Sequence, residues 1–132
     1  MDIQDLQKRY AASALTTELT KLIGKKTVKT IFAEGLLASS APMVFSAVRT
    51  SVPLLFVLQD ADEAGYFYHD LCQIMGTDDV LFFPSSYRRA IKYAQKDPAS
   101  EILRTEVLTR LTSQSSPLNS QLYVVTHPEA LA

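Results

Sequence analysis

Disulfide bridges, a secretory leader, a membrane span and a strong net charge are all missing from this sequence, and each absence removes a class of protein. The lone cysteine, Cys72, cannot form an internal disulfide, which fits a reducing compartment. No apolar run approaches the roughly 20 residues that span a bilayer. The opening MDIQDLQKRY lacks the apolar core of a signal peptide. The 13 Lys and Arg nearly balance the 14 Asp and Glu, for a net charge of −1. That balance excludes a strongly basic nucleic-acid binder and a disordered polyelectrolyte. The expectation is a soluble cytoplasmic domain with no membrane contact.

What is present suffices for one core. Of 132 residues, 47% are hydrophobic and 20% charged, which predicts a single domain over residues 1–132 that folds without a structural metal. The charges are unevenly spread. Between Gln59 and Val80 stand Asp60, Asp62, Glu63, Asp70, Asp78 and Asp79 with no Lys or Arg. From Ser86 to Arg110, Arg88, Arg89, Lys92, Lys96, Arg104 and Arg110 outnumber Asp97, Glu101 and Glu106. One part of the surface should be acidic and another mildly basic.

Periodicity sets out the elements. Ile3, Leu6 and Tyr10, then Leu15, Leu19, Leu22 and Ile23, recur at helical spacing and predict a helical lead-in over residues 1–24. Ser13 is a candidate cap and Gly24 a candidate stop. Residues 27–33 (TVKTIFA) read as a first strand, opening an α/β core over 27–132. A turn of small residues follows, then a helix with Pro42 in its first turn, where a missing N–H costs nothing. Residues 54–58 (LLFVL) are a continuous apolar run suited to a buried second strand. Asp60 or Asp62 can cap the next helix, whose Ala64, Phe67, Tyr68, Leu71, Cys72 and Met75 share one face until Gly76. Residues 80–83 form a third strand, Asp97-Pro98 opens a helix carrying Ile102, Leu103, Val107 and Leu111, and residues 122–126 (LYVVT) form a fourth strand. Strands alternating with helices predict an α/β fold, a three-layer parallel sheet with helices on both faces. Ligands in such sheets bind outside the carboxyl ends of the strands. That points to the loops at 34–40, 59–62, 84–96 and 126–129.

The first of these loops stands where a P-loop NTPase places G-x-x-x-x-G-K-[ST]. Here the segment runs Gly35-Leu36-Leu37-Ala38-Ser39-Ser40-Ala41-Pro42. Gly35 keeps the first glycine. Ser40 replaces the second, Ala41 the phosphate-facing lysine, and Pro42 the hydroxyl that would hold magnesium. This degenerate P-loop is the first in an ordered set. A strand and helix follow at 53–71 (PLLFVLQDADEAGYFYHDL), in the position of helicase motif Ia. Next come a strand with a proline- and tyrosine-containing loop at 80–93 (VLFFPSSYRRAIKY), a D-x-x-x-E-I-x-x-R helix at 97–111, and a strand with a small turn at 122–131.

In this order the chain resembles the UvrB-like N-terminal domain of the bacterial transcription-repair coupling factor (Mfd) family. The missing lysine separates it from UvrB, which keeps that residue. The resemblance implies a RecA-like, helicase-like partial domain with strands in the order 3-2-4-1, and an N-terminal fragment of a longer protein. It implies a non-catalytic module of a factor that displaces stalled RNA polymerase and recruits UvrA for nucleotide excision repair. ATP and magnesium would serve a separate motor of the full-length protein, a DNA translocase that touches DNA through other domains. No cofactor, metal or catalytic residue is expected in this chain itself. Residues 27–33 would then form an open edge, expected to be covered by self-association or a neighbouring molecule in a crystal, or else to leave the chain less stable than a longer one.

Other residues have plainer readings. Tyr87, Arg88, Arg89, Lys92 and Tyr93 could stack bases and touch phosphates weakly, but a packed, solvated loop suits their spacing better. His69 and His127 have no second ligand at metal spacing. Cys72 reads as an inert thiol on an apolar face. Asp60 ends a strand where a receiver domain carries its phosphorylated aspartate, yet also suits a helix cap. Two further classes therefore remain beside the interaction module: a nucleotide-binding enzyme domain with an altered P-loop, and a receiver-like signalling domain.

Overall fold

Three strands, β1 (Leu54–Val57), β2 (Val80–Phe83) and β3 (Tyr123–Thr126), make a parallel sheet in the order β1-β3-β2 in the computed structural model, which describes residues 1–86, 97–113 and 121–132. Around it lie α1 (Ile3–Ala11), α2 (Ala14–Gly24), α3 (Ser40–Ala47), α4 (Ala61–Met75), α5 (Pro98–Thr112) and the short α6 (Pro128–Leu131). The helix signals act as their chemistry requires. The Ser13 hydroxyl accepts the Thr16 N–H at 3.2 Å and starts α2. The Asp60 carboxylate accepts the Glu63 N–H at 2.9 Å and starts α4, and Gly76 closes that helix at φ 85°.

Register and pleat together sort the core into two layers. Leu54, Tyr123 and Val80 stand in one row of the sheet, and Leu55, Val124 and Leu81 in the next. Successive side chains on a strand point to opposite faces. One face therefore carries Leu54, Phe56, Tyr123, Val125, Val80 and Phe82, packed on Ala64, Phe67, Tyr68 and Leu71 of α4. The other carries Leu81, Phe83 and Val124, packed with Leu122 on Val107 of α5. Helices cover both faces of a parallel sheet, as the alternation of elements predicts. The cover is uneven, because α5 lies over β2 and leaves Leu55 and Val57 of β1 more than half exposed.

The helical face is aromatic. Phe56 stacks on Tyr123 with ring centroids 6.1 Å apart, and meets Phe45 of α3 edge-on at 5.4 Å and Phe67 of α4 at 5.0 Å. Tyr123 is fully buried. Its hydroxyl donates to the Val48 carbonyl at 3.2 Å and accepts from the Arg49 guanidinium at 3.2 Å, tying the end of α3 to the central strand. The Gln121 side chain exchanges two hydrogen bonds with Thr50, locking the approaches to β1 and β3 together.

Two expectations are corrected. Residues 27–33 do not form a strand; they run exposed between α2 and α3, with Phe32 86% exposed. The order 3-2-4-1 is not the order observed. In chain order of the expected strands the sheet reads second, fourth, third, so only the second-beside-fourth contact is in place. The physical reason is occupancy. β3 bonds to β1 on one side and β2 on the other, which fills the slot that the resemblance reserves for the first strand. The α5 stripe is also poorer than its spacing suggests, since Val107 is buried but Ile102 is 69% exposed.

Removing the Tyr123 hydroxyl strands a buried carbonyl without filling any space. Tyr123→Phe should lower stability by about 1–2 kcal/mol, and Tyr123→Ala by about 3–5 kcal/mol, both read from urea unfolding midpoints. A Phe variant as stable as the parent would mean that the hydroxyl does not tie α3 to the sheet.

Burial also makes the fold sensitive to alkali. Desolvation holds the Tyr123 phenol above its ordinary value of 10.0, with Arg49 pulling the other way. Tyr68 and the Cys72 thiol are raised chiefly by the same cause. The folded chain thus keeps these protons more tightly than the unfolded one. The stability this confers is complete below the ordinary values and is lost as pH climbs through the raised ones. The urea midpoint should fall as pH rises above 9.0 for Cys72 and further above 10.0 for the tyrosines, less steeply in Tyr123→Phe. A midpoint constant to about pH 11 would contradict it.

Candidate functional site

The carboxyl ends of the strands gather three features. At β1 the chain passes Leu58 into the Asp60 cap of α4. At β3 it passes the buried Thr126 and His127 into α6, and at β2 it turns at Pro84. Beside β1 lies a cleft of about 340 Å³ between the start of α3 and the first half of α4. Ala38, Ser39, Pro42 and Leu58 line one side, and Glu63, Tyr66, Phe67 and Asp70 the other.

This cleft is where the segment 35–42, expected from the sequence to be a degenerate P-loop, falls. Gly35 takes φ 81° and is exposed, while Ala38, a residue with a Cβ, takes φ 48°. Left-handed backbone costs an L-residue roughly 1–2 kcal/mol. The turn closes with the Ser40 N–H donating to the Leu37 carbonyl at 3.0 Å. Ser40 and Ala41 are half-buried in the first turn of α3 and Pro42 is buried. No strand precedes the turn, so the strand–loop–helix cradle of a P-loop is not formed.

The charges in the cleft are the reverse of a phosphate site. Ser39 stands at the N-cap position, but its hydroxyl donates to Asp70 Oδ2 of α4 at 2.7 Å rather than capping the helix. The partial positive charge of the α3 N-terminus thus faces a carboxylate already supplied by the chain. Glu63 adds a second carboxylate to the lining. Among the described residues, an incoming triphosphate would meet two anions and no lysine. The Ser40 hydroxyl is buried with no hydrogen-bond partner.

Arg104 of α5 makes the second feature. Its guanidinium donates to the Pro84 and Ala130 carbonyls, each at 2.9 Å, and lies 4.1 Å over the Phe83 ring. It clamps the carboxyl end of β2 to α6. The Thr126 hydroxyl donates to the Phe83 carbonyl at 2.8 Å and reinforces the same seam. His127 is 2% exposed, and its Nδ1 has no hydrogen-bond partner. His69 is exposed on α4, and no group of His, Cys, Asp or Glu among the described residues is arranged to hold a metal ion. Cys72 is half-buried beside Tyr68, and burial raises its thiol, as suits an unreactive side chain.

The sequence places Gly35, Ser40, Ala41 and Pro42 in this region, and the structure brings Pro42 into the cleft while Gly35 stays on an outer turn. Tyr87, Arg88, Arg89, Lys92 and Tyr93 lie outside the described residues. Sequence reasoning missed the Ser39–Asp70 bond, which joins residues 31 apart in the chain. It also missed the Arg104 clamp. No local spacing signals either one. No helix among the described residues is long and apolar enough to cross a membrane. The chain matches no protein-family model, and no curated protein or solved structure is significantly similar to it.

The strain at Ala38 is open to test. Ala38→Gly should be no less stable than the parent, gaining up to about 1 kcal/mol, because glycine adopts this backbone freely but loses more freedom on folding. Ala38→Val should lose on the order of 1–3 kcal/mol. Thermal unfolding in which valine matches alanine would show that the turn is not held at positive φ.

Proposed function

We propose that this chain is a non-catalytic interaction module of the transcription-repair coupling kind, a helicase-like α/β domain that works by presenting surfaces instead of turning over nucleotide. The observation that carries this is the start of α3. Ala41 and Pro42 stand where a lysine and a magnesium-binding hydroxyl would be needed, and Glu63 and Asp70 line the space a triphosphate would fill. The ordered set of segments from 34 to 131 supports the family; strand order does not, because β2 occupies the position expected of the first strand. In such a protein the partners of the full-length chain are UvrA and RNA polymerase, DNA is held by other domains, and ATP with magnesium drives a motor elsewhere. The compartment is the cytoplasm.

The receiver-like alternative loses support because the Asp60 carboxylate is engaged as the α4 cap. The altered-P-loop enzyme is tested directly. Titration calorimetry of the chain with Mg-ATP should show no binding in the micromolar range. Saturable, magnesium-dependent heat would overturn the non-catalytic reading and favour the enzyme.

A further inference from the structure

Two unsatisfied features of this fold complement one another. The first is the free edge of β1, whose second side pairs with no strand among the described residues. Beside that edge, on the face that α5 does not reach, Leu55 is 58% and Val57 52% exposed. A parallel-sheet strand left bare along both an edge and a face is an invitation to another strand. The second feature is the segment 27–33, TVKTIFA, which has a strand's composition yet runs outside any sheet. Phe32 is 86% exposed and Ile31 is exposed. Among the described residues, strand and edge therefore both stand unused.

We propose that residues 27–33 of one copy pair antiparallel with β1 of a second copy, and that the exchange is reciprocal, giving a twofold dimer. Charge selects the direction. The segment begins with the exposed Lys25 and Lys26 and ends at Glu34, whereas β1 is preceded by Arg49 and followed by Asp60, Asp62 and Glu63. Antiparallel pairing sets the lysines beside the acids and Glu34 toward Arg49; parallel pairing sets like charges together. The register with Val28 opposite Val57 puts Thr30 opposite Leu55 and Lys25 level with Asp60. Val28 and Phe32 then lie on one face of the added strand, over Val57 and Leu55, by the pleat.

A second copy is the occupant for two reasons. A net charge of −1 puts little repulsion between copies. Reciprocal exchange is also closed, because each copy's segment fills the partner's β1 edge while its own β1 edge is filled in return, so this pairing ends at two chains. Two added strands with their apolar side chains approach the scale of roughly 800 Å² per partner that a stable interface needs.

The test is analytical ultracentrifugation of the 132-residue chain across the micromolar range. A dimer is expected, and Phe32→Asp and Val57→Asp should each make it monomeric while leaving the far-ultraviolet circular dichroism unchanged, since both residues are exposed. Lys25→Glu with Lys26→Glu should weaken association by about tenfold, and adding Asp62→Lys with Glu63→Lys in the same chain should restore it. Three results would overturn the inference. They are a wild type that stays monomeric, a dimer that survives Phe32→Asp, and a monomer whose amides at 27–33 are protected from exchange, which would mean that the chain fills its own edge. The nucleotide-free reading of the α3 end stands or falls separately, on the Mg-ATP titration.

Discussion

Tyr123 is the side chain on which the rest of this structure depends. It sits in the central strand, so its backbone is bonded to one neighbour directly and spans the register with the other, and its ring fills the space between the sheet and the helices. A buried phenol must find partners or forfeit its hydration. Here it finds the Val48 carbonyl and the Arg49 guanidinium, and in doing so fixes where α3 ends and where the chain turns toward β1. Phe56 then stacks on the same ring and carries α3 and α4 with it through Phe45 and Phe67. One residue thus couples the sheet order to the placement of the helix whose N-terminus forms the cleft.

That coupling matters for the cleft because it sets where the start of α3 faces α4. In open α/β sheets the helix start beyond a strand's carboxyl end attracts anions through its unpaired N–H groups. Here the start of α3 faces two carboxylates of α4, Glu63 and Asp70. The Ser39–Asp70 bond gives the helix dipole an internal counter-charge. Binding a phosphate there would need that bond broken and two like charges overcome. A surface so arranged suits a basic or neutral contact better than a nucleotide.

Local signals in the sequence fared well and partner choice fared badly, for a common reason. Ser13, Asp60 and Gly76 mark helix ends through bonds to residues three or four positions away, and those bonds form as the chemistry dictates, while α2 runs through Gly24 and ends at Lys25. The runs at 54–57, 80–83 and 123–126 are short and dominated by apolar, β-branched and aromatic residues, so each reads as a strand. Nothing in such a run says which neighbour it takes. Residues 27–33 mix β-branched and aromatic residues with Lys29 and two threonines, and the place beside β3 expected for them is filled, since β1 and β2 take its two sides. The α6 turn after His127 was legible only as a change of direction, since Pro128 begins a helix as readily as it ends a strand. In the cleft, the loss of lysine was visible in Ala41, but the carboxylates that replace a ligand come from α4, a full element away.

The central claim is the order β1-β3-β2, because both the cleft and the free edge follow from it. Interstrand nuclear Overhauser effects between backbone protons measure it most directly. The account predicts that Val124 shows contacts to Leu55 on one side and Leu81 on the other, with no backbone contact between 54–57 and 80–83. Contacts from residues 27–33 to Tyr123–Thr126, or direct contacts between β1 and β2, would contradict it.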